Sequence, residues 1–124
     1  MKRATKATGL PPTLRSALFA MMALGPVEAR RMFGGYGVFL DGLMFALYAG
    51  NALYLKSDAE SDARFRAAGS HPFTYERKGR SVALSYWRVP AAAEDDAQAL
   101  LDWAELALAA ARRKQKTKKD KTKR

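Results

Sequence analysis

The chain has 124 residues, with 22 Lys and Arg against 12 Asp and Glu and no cysteine. That length suffices for one domain with its own core, and the missing thiols exclude a disulfide scaffold, a cysteine-ligated zinc ribbon and thiol catalysis. The net charge of +10 sits at the ends: residues 112–124 hold nine basic residues against Asp120, Lys2, Arg3 and Lys6 add three, and residues 7–111 carry ten basic and eleven acidic residues.

Residues 1–12 are polar, basic and punctuated by proline, and are expected to be a disordered lead-in. The folded domain is expected over residues 13–111, and residues 112–124, RRKQKTKKDKTKR, are expected to be a disordered lysine-rich tail. A first helix starts near Pro12-Thr13, places Leu14, Leu18, Met21 and Met22 on its apolar side and stops at Gly25-Pro26. Arg15 and this helical spacing read Ser16–Leu24 as part of an amphipathic helix rather than a secretion signal. No run approaches the ~20 apolar residues of a membrane span; a cytoplasmic protein without membrane contact is expected.

The stretch Arg30–Lys56 organises the chain. Asp41-Gly42 and Gly50-Asn51 each suit a two-residue hairpin loop and divide the stretch into a three-stranded antiparallel meander, which Val27–Phe33 enters. Gly34-Gly35-Tyr36-Gly37 is glycine-rich, but a strand rather than a helix N-terminus follows it, so a bend, a bulge or a close backbone approach is expected, not a phosphate cradle. Uninterrupted register from the two turns pairs Leu40 with Leu43, Phe39 with Met44, Val38 with Phe45, Ala49 with Ala52, Tyr48 with Leu53 and Leu47 with Tyr54. One face then collects Phe39, Met44, Ala46, Tyr48, Leu53 and Leu55; the other collects Tyr36, Val38, Leu40, Leu43, Phe45, Leu47, Tyr54 and Lys56. Neither face is polar, so each needs a cover. The second face, with Tyr36, Val38, Leu40, Phe45, Leu47 and Tyr54, is the candidate interface for a protein partner or a second copy.

Asp58–Ala68 reads as a short helix, Phe73–Arg77 and Ser81–Val89 as a hairpin around Lys78-Gly79, and the stretch after Glu94-Asp95-Asp96 as a final helix with Asp96 as N-cap. The expected fold is α+β with an antiparallel sheet, in the order α-β-β-β-α-β-β-α. Catalysis has little to work with: His71 is the single histidine, in a Gly-Ser-His-Pro turn, and no cofactor or metal set is evident. Trp87 and Trp103 read as core. Cations for a nucleic-acid contact lie on the hairpin loop, Arg77, Lys78 and Arg80, and on the tail, Arg112, Arg113, Lys114, Lys116, Lys118 and Lys119. They would neutralise phosphates without reading sequence.

Three segments in order, Arg31-Met32-Phe33-Gly34-Gly35-Tyr36-Gly37, Pro72-Phe73-Thr74-Tyr75, and Ser85-Tyr86-Trp87-Arg88-Val89-Pro90 before an Ala/Leu helix, resemble the TfoX (Sxy) N-terminal domain family. The resemblance spans about Leu14 to Arg113. It implies a fold related to the type III secretion-chaperone-like folds, no catalytic residues, and a coactivator role in competence alongside a cyclic-AMP-responsive transcription factor. The longer members carry a helical C-terminal domain, where this chain has its lysine-rich tail, so a stand-alone form is expected. The reading from sequence is a small regulatory adaptor working through protein contacts, with nucleic-acid binding by tail and hairpin loop as the alternative.

Overall fold

The computed structural model describes residues 9–32 and 34–122, with side chains to residue 117. Most of the expected lead-in, the last two tail residues, and the side chains of Lys118 and Lys119 lie outside that range. The elements are α1 (Pro12–Ala20), running into a 3-10 turn at Met21–Leu24, then β1 (Val27–Met32), β2 (Gly35–Leu40), β3 (Leu43–Ala49), β4 (Ala52–Lys56), α2 (Asp62–Ala67), β5 (Pro72–Arg77), β6 (Arg80–Arg88), α3 (Ala91–Glu94) and α4 (Ala97–Thr122). The six strands form one antiparallel sheet in the order β1-β2-β3-β4-β6-β5. The fold is α+β, with one more strand in the meander than the sequence reading counts, because Val27–Met32 pairs fully with β2.

The turn chemistry acts as expected. Asp41 and Gly42, Gly50 and Asn51, and Lys78 and Gly79 all have positive φ, the backbone of tight hairpins whose twist matches that of their strands. Gly34 turns β1 into β2 with a φ of 77°. Beside it, Gly35 starts β2 so close to β3 that an added Cβ would lie 2.1 Å from the Tyr48 carbonyl oxygen.

Register departs from expectation in one place. Leu40 faces Leu43 and Phe39 faces Met44, but Val38 then faces Ala46, so Phe45 is an extra residue on β3. Phe45 and Ala46 consequently point to the same side and both are fully buried. This β-bulge joins half of each expected face. Tyr36, Val38, Leu40 and Phe45 combine with Ala46, Tyr48, Leu53, Leu55 and Trp87, and this side meets every helix. Leu14, Ala17 and Met21 of α1 and its 3-10 turn, Phe65 of α2, Ala93 of α3, and Leu100, Ala104, Ala107, Leu108 and Ala111 of α4 complete one core. Met22, expected on the apolar side of α1, is exposed because the helix tightens to 3-10 at Met21 and turns it outward, as Phe19 is also turned.

Asp58–Ser61 forms a capping turn ahead of α2 rather than its first turn: the Asp58 carboxylate accepts the Glu60 and Ser61 N–H groups at 3.1 and 3.2 Å. Asp96 caps α4, accepting the Ala99 N–H at 3.1 Å. The expected boundary at Ala111 is not a helix end. α4 runs on to Thr122 because residues 112–122 contain no Gly or Pro and consist mainly of Lys, Arg and Gln, which extend helices well.

Replacing Gly35 by Ala should force β2 and β3 apart and cost about 2 to 3 kcal/mol, measured as a lowered urea midpoint. Gly34→Ala, in open space but on a left-handed backbone, should cost about 1 kcal/mol.

Candidate interaction surfaces

All the helices packing on one side leaves the other side of the sheet without a helical layer. Alternation and pairing place Met32, Phe39, Met44, Leu47, Tyr54 and Phe73 on that open side. Gly37 sits among them: an added Cβ would meet the Met32 Sδ at 2.7 Å, the Phe39 Cε1 at 3.0 Å and the Met44 Cε at 3.2 Å. The missing side chain is the space into which these three fold. Tyr54 and Phe73 meet edge to face with centroids 5.0 Å apart, and the Arg30 guanidinium lies 4.4 Å from the Phe39 ring centre. Arg30 borders the patch, with an exposed pair to Glu28, whereas Arg88, opposite Tyr54 on the ladder, reaches to Glu94 of α3 beside the groove on the helical side. Lys56 borders it at the end of β4, 5.1 Å from the Tyr86 ring. Burial pushes the Tyr86 phenol up to about 12, so it remains a protonated donor through the physiological range.

The expected interface residues therefore divide. Leu47 and Tyr54 lie on the side away from the helices, where Leu47 is only 5% exposed and Tyr54 half-buried, while Tyr36, Val38, Leu40 and Phe45 lie under the helices, Val38 and Phe45 fully buried. The bulge is the cause, since a one-residue slip exchanges the two sides. Sequence reasoning missed Met32, Phe39, Met44 and Phe73. The usable signal was Gly37 inside a strand, which marks a close approach of bulky neighbours.

The basic residues are spread over two elements. Arg77, Lys78 and Arg80 are exposed at the tip of the β5–β6 hairpin. Arg112, Lys114 and Lys116 are exposed on α4, but Arg113 turns back: its Nε donates to Asp58 Oδ2 at 2.7 Å and its Nη2 to Oδ1 at 2.9 Å, with Glu60 at 3.1 Å. The guanidinium holds the Asp58 carboxyl down at about 2. Nothing local in the sequence marks this pair, 55 residues apart. Burial, and then the charge of Lys114, lower the Lys56 ammonium; its Nζ donates to Ser85 Oγ at 2.7 Å.

Among the described residues, no nucleophile is paired with a base and an orienting group. A groove of about 580 Å3 between α1, the β3–β4 turn and α3 has Glu94, Asp95 and Asp96 at its edge, two of them occupied by Arg88 and the α4 cap. No cluster of metal-ligating side chains occurs among the described residues. His71 is exposed in its turn. Trp87 and Trp103 flank Phe65, at 6.0 and 4.7 Å between ring centres, as part of the core. Among the described residues, no helix is long and apolar enough to cross a membrane.

The profile of the TfoX N-terminal domain matches residues 19–111. Among curated proteins, the chain is 33% identical over 98 residues to the DNA transformation protein TfoX1 of Aliivibrio fischeri, covering 79% of this chain and 47% of that protein. It is 38% identical over 72 residues to Protein Sxy of Escherichia coli, covering 56% of this chain and 33% of that protein. The matched part thus spans less than half the length of either relative, and neither carries the name of an enzyme.

The Asp58–Arg113 pair sets a pH test. A carboxylate held below its usual range adds stability above its unfolded value, near 3.9, and loses it as pH falls through about 2. Because the pair is partly solvated, Asp58→Asn should cost about 1 kcal/mol at neutral pH, and the difference from wild type in urea unfolding should vanish below pH of about 2.

Proposed function

Because the chain belongs to the TfoX N-terminal domain family, we propose that it is a small non-enzymatic regulatory protein of the competence type, acting in the cytoplasm through protein contacts on the open face of its sheet. The supporting observation is the one-sided packing: among the described residues, Met32, Phe39, Met44, Tyr54 and Phe73 form a half-buried apolar surface on the side of the sheet away from the helices. Apolar sheet surface of this kind is costly to leave in water and is used where a partner binds. The chemistry of the partner follows from the border. Arg30 lies over the Phe39 ring and Lys56 stands at the end of β4, and the exposed Arg30–Glu28 pair is weak enough to exchange for a stronger one. A protein segment with apolar anchors and acidic flanks fits, and the flexible thioethers of Met32 and Met44 adapt to its shape. The name of the Aliivibrio relative, DNA transformation protein, supports genes of DNA uptake as the regulated set.

Deleting the gene in its host, profiling transcripts, and complementing with wild type or Met44→Glu tests this reading. A carboxylate placed in a buried apolar contact costs about 2 kcal/mol or more, roughly a 30-fold loss of affinity. Transcripts that change on deletion and return only with wild type are the expected result. An unchanged transcript profile, or full rescue by a Met44→Glu protein whose near-UV circular dichroism matches wild type, would overturn it.

A further inference from the structure

Two basic elements leave the domain at the same end. β4 stops at Lys56, and the Ser57 N–H closes the ladder on the Ser85 carbonyl at 2.9 Å. β6 pairs with β4 only through Tyr86, Trp87 and Arg88, so from Ser85 back to Arg80 it continues past the end of β4 with β5 as its sole neighbour. The overhanging hairpin presents Arg77, Lys78 and Arg80 at its tip, with Glu76 the one acid beside them. α4 travels along β4 in the same direction: Leu100 lies with Leu53 at one end, and Arg113 is clamped to Asp58 at the other. Beyond that clamp the helix continues past the sheet as the hairpin does.

The side chains of α4 change character where the sheet ends. The row Leu100, Ala104, Ala107 and Ala111 is buried on the sheet. The next positions of the same row, at spacings of three and four, are lysines 114, 118 and 121. The helical row that is apolar over the core thus continues in lysine positions once the helix passes the core. Lys114, the first of these positions, lies near Lys56 at the end of β4, where its charge helps lower that ammonium after burial.

We propose that the lysine row of α4 and the tip of the β5–β6 hairpin are two prongs of one clamp for the phosphate backbone of duplex nucleic acid. Two cationic prongs on rigid, hydrogen-bonded elements match a dense, regular row of anions, and a backbone contact of this kind positions the protein without reading bases. A lipid surface fits less well. Residues 112–122 contain no apolar side chain, so this part of α4 has no face to insert among acyl chains. Asp120 is the one acid in the extension. Arg113 serves as the pin that fixes the angle of the helical prong, its guanidinium already satisfied by Asp58 and Glu60.

Fluorescence anisotropy of a short labelled DNA duplex against the full chain, over a salt series, tests the clamp. Three variants are compared: Arg77→Gln, Lys78→Gln and Arg80→Gln combined; Lys114→Gln, Lys118→Gln and Lys121→Gln combined; and all six. If these six residues neutralise six phosphates, log K should fall against log salt with a slope of about −5, each triple variant should show about −3, and the sixfold variant should bind most weakly with the shallowest slope. A tip variant that binds with the wild-type slope would overturn the clamp in favour of the tail alone. Absence of duplex binding at low salt, or complete competition by phosphatidylglycerol vesicles at equal charge, would overturn it too. None of the six residues belongs to the apolar patch of the open face, so this test and the transcript test fail independently.

Discussion

Phe45 has no partner on β2, and the architecture depends on how that extra residue is accommodated. With it, β3 presents Phe45, Ala46 and Tyr48 to the helices and Met44 and Leu47 to the opposite side. Without it, Val38 would stand opposite Phe45, and Phe39 and Met44 would share a side with Ala46 and Tyr48. The helical layer would then have to close over a different surface. The position fits its neighbours: Gly37 lies one residue from the shift, where its missing side chain leaves room for Met32, Phe39 and Met44 to crowd together. Bulge and glycine together produce a sheet with one dry side and one apolar side without a helical cover.

The helical side is closed by α4, whose continuity ties the two proposed surfaces to one frame. Its first half is packed with small residues, Ala104, Ala107 and Ala111, which let the helix lie close on β3 and β4. Its second half leaves the sheet at the Asp58–Arg113 pair. That pair joins the capping turn of α2 to the helix at the point of departure, so the direction of the basic extension is set by a bidentate contact rather than by apolar packing.

Much of this was legible in the chain, for identifiable reasons. Asp41-Gly42, Gly50-Asn51 and Lys78-Gly79 specify turns by backbone chemistry alone, and each lies where the sequence places it. Leu47 opposite Tyr54 and Tyr48 opposite Leu53 follow from counting outward from Gly50-Asn51. The bulge was not legible because β3 reads LMFALYA, apolar at every position, and offers no polar alternation that an inserted residue would disturb. The error in the interface followed directly from that silence. The end of α4 was not legible for a different reason: dense charge is a signature of disorder, yet the lysine-rich stretch keeps the helical propensity that the pinned helix propagates. The Asp58–Arg113 contact belongs wholly to tertiary structure, and the Asp58 stretch in isolation looks like an ordinary helix start.

The strand order also bears on what happens before the fold is complete. LMFALYA is the sort of short, uncharged, β-prone stretch that drives self-association between unfolded chains. In the finished sheet it occupies an interior position between β2 and β4. The strands at the two borders are of another kind: β1 carries Glu28, Arg30 and Arg31, and β5 begins with proline and ends in Glu76 and Arg77. Charges and proline at the rims discourage strand-to-strand addition from a second molecule. The segment with the strongest tendency to pair with other unfolded chains is thus enclosed between strands whose rims discourage such pairing.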